Sequence, residues 1–330
     1  MAASAGGLLP LRRILSELPP DLPAAVLVVL HIPATGGRNL PSILDRAGPL
    51  TADSAVDGEP ICAGRVYVAP PDRHLLVVKD TVRISRGPRQ HRVRPAADPL
   101  FRSAALHAGP RTIAVVLSGT LDDAALGSAT IESRGGQVVV QDPDDADYDS
   151  MPRNAIAATS DAIVVPAAEL AGQVIRLATG EDLMAPADAF PPDEELAAEL
   201  DGLLTGTLES NADHRDYSGL SCPDCGGPLY HASEEPAAAY ECRVGHRWSP
   251  QSLFEEHSAS VERALWLAVR SLEERGGLTA RLAEAARGRG HEISARQFGT
   301  TAEEARQAAD VIREVANGMV TEVDPEPDKA

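Results

Sequence analysis

Ala25-Val-Leu-Val-Val-Leu30, closed at once by His31, is the stretch whose reading decides the fold. A short, unbroken apolar run rich in valine predicts a strand buried on both faces. Arg65-Val-Tyr-Val68, Ile113-Ala-Val-Val-Leu117, Gln137-Val-Val-Val140 and Ala162-Ile-Val-Val165 repeat the pattern as further buried strands. Between several of them lie helical patterns, such as Leu8, Leu11, Ile14, Leu15 and Leu18, spaced by three and four. Buried strands alternating with helices imply an α/β fold, doubly wound around a mostly parallel sheet. His74-Leu-Leu-Val-Val-Lys-Asp-Thr-Val-Arg-Ile84 reads instead as a local β-hairpin turning near Lys79-Asp80.

This α/β pattern fills residues 1–180. Residues 181–220 read as an acidic linker, with Phe190-Pro-Pro-Asp-Glu-Glu195 at its centre and one short helix over 194–204. Residues 221–250 hold a Cys/His cluster, and 251–318 a Glu-, Arg-, Ala- and Leu-rich helical hairpin. That hairpin breaks near Gly288-Arg-Gly290, with Gly276-Gly277 a second place where the first helix could end. Residues 319–330, with Val323-Asp-Pro-Glu-Pro-Asp328, read as a disordered tail. A formal charge of −19 excludes general binding to nucleic acid or to anionic membranes, which needs clustered Lys and Arg. No apolar run is long enough to span a bilayer, and no signal peptide is legible. The four cysteines suit a reducing cytoplasm and a metal better than a disulfide framework.

Reactive residue types fall where an open α/β sheet binds ligands, at the carboxyl ends of its strands. His31 follows the strand ending at Leu30, and Asp122 and Asp123 follow the strand ending at Leu117 across Ser118-Gly-Thr-Leu121. Ser4 sits in Ala3-Ser-Ala-Gly-Gly7, just before a helix starting around Leu8. A serine hydroxyl becomes a nucleophile when an imidazole takes its proton, and a carboxylate fixes that imidazole's tautomer. The free N–H groups of a helix start suit a developing oxyanion. Each residue has a plainer reading: Ser4 as an N-cap, His31 as a polar strand end, the Asp pair as a cap for a helix starting at Ala124. The residues alone reach a hydrolase and no further.

The ordered series Ala3-Ser-Ala-Gly-Gly7, Val29-Leu-His-Ile-Pro33, Asp57-Gly-Glu-Pro-Ile61 with Gly64-Arg-Val-Tyr-Val-Ala-Pro70 and His74, Arg94-Pro-Ala-Ala-Asp-Pro-Leu-Phe101, Val116-Leu-Ser-Gly-Thr-Leu-Asp-Asp123, and Gln141 with Met151-Pro-Arg-Asn-Ala-Ile156 carries more. It resembles the catalytic domain of the CheB chemotaxis methylesterases over roughly the first half of the chain. The resemblance implies Ser4 as nucleophile, His31 as base and Asp123 as its orienting acid, with the Thr120 backbone N–H in the oxyanion site. It implies hydrolysis of glutamate γ-methyl esters on the cytoplasmic helices of methylated chemoreceptors, and possible deamidation of glutamine, with no cofactor for catalysis. The sequence departs from the pattern in three places. No receiver domain precedes the esterase segment. Ala124 stands where the pattern often has glycine. Only three residues precede Ser4 where relatives carry a hydrophobic strand, which predicts an unfilled slot in the sheet and a frayed serine. A second reading therefore stands beside the first: a catalytically weak or inactive scaffold that binds proteins through this fold.

Cys222-Pro-Asp-Cys225 and Cys242-Arg-Val-Gly-His246 give two short-spaced pairs of ligands suited to tetrahedral zinc in a ribbon-like module. Four protein ligands make a closed, structural site; His231 and His257 fit the spacing less well. Esterase-like core, Cys/His pairs and helical tail together resemble a stand-alone arrangement of the family. The Leu and Ala stripe of the tail offers self-association or partner docking.

Overall fold

The computed structural model describes residues 1–33, 36, 39–180, 193–205, 216–232 and 239–320. The apolar runs take their places in one seven-stranded sheet: β1 (Ala2–Ala3), β2 (Val26–Leu30), β3 (Thr51–Ser54), β4 (Arg65–Val68), β7 (Ile113–Val116), β8 (Gln137–Gln141) and β9 (Ile163–Val165). Its order is β3-β4-β2-β1-β7-β8-β9, and every pairing is parallel. Side chains along β2 alternate between the two faces. Val26 and Val28 join α1 (Leu8–Glu17), α2 (Leu40–Asp45) and α6 (Leu170–Thr179), while Val29 joins α3 (Ala97–Ala108), α4 (Ala125–Ser133) and α5 (Ser150–Ala158). Leu11, Ile14 and Leu15 of α1 are fully buried, which contributes roughly 1.5–3 kcal/mol each. The fold is doubly wound α/β, as the alternation predicts.

Beside this sheet, β5 (His74–Val78) and β6 (Thr81–Ser85) form the antiparallel hairpin, turning at Lys79-Asp80 with Lys79 left-handed. Two strands depart from the sequence reading. β3 has no apolar run because it is an edge strand with only Ala52 buried. The run at 162–165 is a strand but not a buried one: β9 closes the other edge and exposes Val164.

The frayed serine is corrected as well. Only β1 separates β2 from β7, yet it is tied on both sides, by Val29 N–H to Met1 O (2.9 Å) and Leu117 N–H to Ala2 O (2.9 Å). The Met1 amine donates to Leu27 O at 2.7 Å, and burial pushes its pKa down to about 5. At the amino ends of β2 and β7 is a cavity of about 720 Å³ lined by Leu27, Phe101, Ile113, Ile131 and Val174. It opens at the end of the sheet opposite Ser4.

Helix α7 (Glu194–Thr205) lies in the stretch read as a linker and buries Leu196, Leu200 and Leu203 against Leu76 of β5. Residues 181–192, 206–215 and 321–330, on which the rest of the linker and most of the tail readings fall, lie outside the described residues. A four-stranded antiparallel sheet follows: β10 (Tyr217–Ser221), β11 (Pro228–Ala232), β12 (Ala239–Cys242) and β13 (Arg247–Trp248). The chain divides into two compact units, Met1–Leu253 and Phe254–Ala330. The second consists of most of α8 (Pro250–Gly288) and of α9 (Glu292–Val320), joined through Gly290. Helix α8 runs straight through Gly276-Gly277. A Cβ on Gly276 would meet Ala302 O at 3.4 Å, an ordinary van der Waals contact. Among the described residues no helix is long and apolar enough to cross a membrane.

Candidate active site

The connections leaving β1 and β7 diverge to opposite halves of the sheet, so the crevice above these two strands is a topological switch point. Ser4 follows β1 there. The register pairs Ala3 with Leu30, and His31 N–H reaches Ala3 O at 3.0 Å, so Ser4 and His31 stand side by side just beyond adjacent strand ends. On the other flank Ser4 N–H donates to Ser118 O at 3.0 Å. The tight turn after the serine needs its glycines. Gly6 has φ +72°, and a Cβ on Gly7 would come within 2.7 Å of Ser118 O and Ala3 Cβ.

The loop after β7 brings Asp123 under His31. His31 Nε2 meets Asp123 Oδ2 at 2.6 Å, with the two side chains 11% and 2% exposed. The same carboxylate accepts Ala97 N–H at 2.6 Å, and Asp98 N–H and Ala124 N–H at 3.0 Å each. Burial pushes this carboxyl up; the bond and charge of His31, the charge of His91 and the Ala97 amide outweigh burial and hold it well below the usual carboxylate range. Asp123 is therefore ionised and can only accept, so His31 Nε2 donates to it; in the neutral ring Nδ1 is then the lone-pair acceptor. Ser4 makes no side-chain hydrogen bond among the described residues. The structure thus joins imidazole and acid, and the strand register places Ser4 next to His31.

The plainer readings fare differently. Gly7, not Ser4, is the N-cap of α1. The N-cap of α4 is Ala124, without a side-chain cap, and Asp123 instead satisfies the first N–H groups of α3. Thr120 is exposed in the turn after β7, and its N–H makes no hydrogen bond among the described residues. Sequence reasoning missed the support beneath. Ser118 donates to Ala5 O and accepts Tyr148 N–H, and Gln141 Oε1 accepts Ser118 N–H, tying three strand ends together. It also missed His91, buried and 2.9 Å from Asp98 Oδ2. No pattern flags that contact, because six residues, Pro95 among them, separate the pair.

In the second cluster Cys222, Cys225, Cys242 and His246 offer ligand atoms that all lie within 4.8 Å of one another. Cys225 Sγ to Cys242 Sγ is 3.6 Å, and His246 Nδ1 lies 3.7 Å from Cys222 Sγ and 3.5 Å from Cys242 Sγ. Those spacings match the edges of about 3.7 Å expected for a tetrahedron with metal–sulfur bonds of about 2.3 Å. Hydrogen bonding from Cys242 pushes the Cys222 thiol down. His231 and His257 stand outside the set.

A family model described as CheB methylesterase matches residues 1–174. The chain belongs to the CheB methylesterase family. Protein-glutamate methylesterase/protein-glutamine glutaminase 4 of Myxococcus xanthus is 38% identical over 175 residues, covering 53% of this chain and 50% of that one. The protein-glutamate methylesterase/protein-glutamine glutaminase of Pyrococcus abyssi is 35% identical over 180 residues, covering 53% and 49%. A relative from Leptospira interrogans is 38% identical over 178 residues that make up 54% of this chain and 92% of its own. The chain thus spans about half the length of the first two relatives. The crystal structure of the Thermotoga maritima CheB methylesterase catalytic domain is similar with a TM-score of 0.51 and 32% identity, over 53% of this chain and 95% of that domain.

The CheB pattern often carries glycine directly after its aspartate, and here Ala124 takes φ +84° and is fully buried. Left-handed geometry costs a non-glycine residue about 1–2 kcal/mol, while burying one methyl group returns about 0.8 kcal/mol. Ala124→Gly is therefore expected to stabilise the fold by about 0.5 kcal/mol. A urea midpoint that rises with an unchanged slope is the expected result; a lower midpoint contradicts the strain.

Proposed function

We propose that this chain hydrolyses glutamate γ-methyl esters on the cytoplasmic helices of chemoreceptor-like proteins, with Ser4, His31 and Asp123 as its machinery. One observation carries the reading: Ser4 and His31 are neighbours in the strand register at the switch point, and Asp123 lies 2.6 Å behind the imidazole. The names of the family relatives support the substrate class. Ser4 Oγ attacks the ester carbonyl as His31 Nδ1 takes its proton. The oxyanion meets the unpaired Thr120 N–H and the free N–H groups at the start of α1. His31 then gives the proton to departing methanol, and water, activated by the same imidazole, releases the acyl group as carboxylate. Glutamine deamidation needs the same steps with ammonia leaving. A cytoplasmic location follows from the substrate, and the exposed Leu267, Leu278 and Val311 of α8 and α9 give the second unit a face for self-association.

The test is methanol release from methylated receptor fragments by the full chain. Release that scales with enzyme supports the reading. Failure with fully methylated fragments leaves the scaffold reading in its place.

Cys222, Cys225, Cys242 and His246 would hold one zinc ion, which, with all four positions taken by protein, supplies cross-linking and no reaction chemistry. The expected result is one zinc per chain in freshly purified protein. Elemental analysis that finds none removes the site.

A further inference from the structure

A chain of named hydrogen bonds connects the Cys/His cluster to the acid of the esterase site. Its second pair forms a knuckle: Gly245 N–H donates to Cys242 O at 2.8 Å, and Cys242 N–H to His246 O at 3.1 Å. The outer face of that knuckle grips the Gln90-His91 segment. Gln90 Nε2 donates to Gly245 O at 3.1 Å, and His91 N–H to Arg247 O at 3.0 Å. From His91 the path runs inward. His91 Nε2 meets Asp98 Oδ2 at 2.9 Å, Asp98 N–H donates to Asp123 Oδ1 at 3.0 Å, and Asp123 holds His31.

Two features make the segment dependent on this grip. His91 and Arg92 both have left-handed backbones, with φ +49° and +69°. Neither is glycine, and such geometry persists only where the surroundings impose it. His91 is also buried among three carboxylates, those of Asp98, Asp122 and Asp123, and is the positive group balancing them. If the segment relaxes, that charge moves and the amide support of Asp123 moves with it.

We propose that the knuckle Cys242–His246 is a positioning element of the esterase site: by clamping Gln90-His91 it fixes Asp123, so that metal loading of the module sets kcat. The proposal rests on the methylesterase reading for its activity arm and on the structure alone for its second arm. Catalysis itself stays with Ser4, His31 and Asp123; among the described residues none of the three hydrogen-bonds to the module.

The experiment compares zinc-loaded and chelator-stripped full-length protein with Cys225→Ser, Gln90→Ala, which removes the bond to Gly245 O, and the control Cys62→Ser, whose thiol is exposed and outside the module. Two quantities are read: methanol release resolved into kcat and KM, and amide hydrogen exchange across residues 90–98. Stripping and Cys225→Ser should each lower kcat at least tenfold with KM unchanged, and speed exchange across 90–98 while the rest of the large sheet keeps its protection. Zinc should restore both in the stripped protein. Gln90→Ala should keep its zinc and lose about threefold in kcat, which guards the result if Cys225→Ser fails to fold; Cys62→Ser should match wild type. Unchanged exchange across 90–98 after stripping overturns the proposal, as does an unchanged kcat. Where loaded wild type releases no methanol, the methylesterase reading has failed, and the exchange arm alone decides the coupling.

Discussion

Ser4→Ala should lower methanol release by a factor on the order of 10⁴ to 10⁶ while changing stability by less than about 0.5 kcal/mol. Both halves follow from the structure. The hydroxyl makes no hydrogen bond among the described residues and Gly7 supplies the N-cap of α1, so removing it leaves no donor or acceptor stranded. Had Ser4 been the cap, its loss would cost about 1 kcal/mol. Asp123→Asn should behave differently. Its rate should fall by about 10⁴, because an amide cannot hold His31 in the Nε2–H tautomer. It should also destabilise the fold, because an Asn side chain has one acceptor oxygen where four donors converge, from His31, Ala97, Asp98 and Ala124. Activity lost without stability at position 4, and with it at position 123, separates a nucleophile from a residue that also builds the site. Equal rates for wild type and Ser4→Ala would remove Ser4 from the mechanism.

The valine runs were sufficient for the sheet because a strand buried on both faces admits almost nothing but apolar residues, and that constraint is written locally. It fails at the edges. Thr51–Ser54 pairs with one neighbour only and exposes three of its four side chains, so no periodicity marks it. Central β1 is as hard to see: two alanines form it, and their burial comes from β2 and β7 on either side rather than from their own bulk. At the site, positions at strand ends could be read from sequence, since topology alone puts residues 4, 31 and 118–123 at one edge. Contacts could not. That Asp123 supports the start of α3, or that His91 sits against Asp98, depends on loops whose course follows from packing. The docking of the Cys/His knuckle on Gln90-His91 is the extreme case, joining segments more than 150 residues apart.

The second large effect should come from Glu199, a residue with no part in the proposed chemistry. Its carboxylate lies between Arg102 of α3 and Arg247 of β13, 2.6 Å from Arg102 Nη2 and 2.5 Å from Arg247 Nη1. Both guanidiniums are almost wholly buried, at 2% and 3% exposure, while Glu199 retains 17%. Desolvating two cations is expensive, and removing the anion they share withdraws the compensation without returning them to water. Glu199→Ala should therefore cost about 3 kcal/mol, at the lower end for a broken buried pair because the carboxylate is partly wet. The pH dependence tests the cause. Burial pushes this carboxyl up, but Arg102 and Arg247 outweigh it and hold it below the usual range. A carboxyl with a depressed native pKa contributes stability that is complete above its unfolded value of about 4.3 and is lost as pH falls through the native one. The gap between wild type and Glu199→Ala should thus be constant from pH 8 to about 5 and narrow in more acidic solution. A gap that stays constant into acid would assign the loss to α7 packing, where Leu196, Leu200 and Leu203 meet Leu76, rather than to charge. Because Arg247 directly follows the last metal-ligand candidate and its carbonyl holds the His91 amide, the same substitution should also speed hydrogen exchange across residues 90–98. That joins the stability of the Cys/His module to the support of Asp123 through a residue neither motif contains.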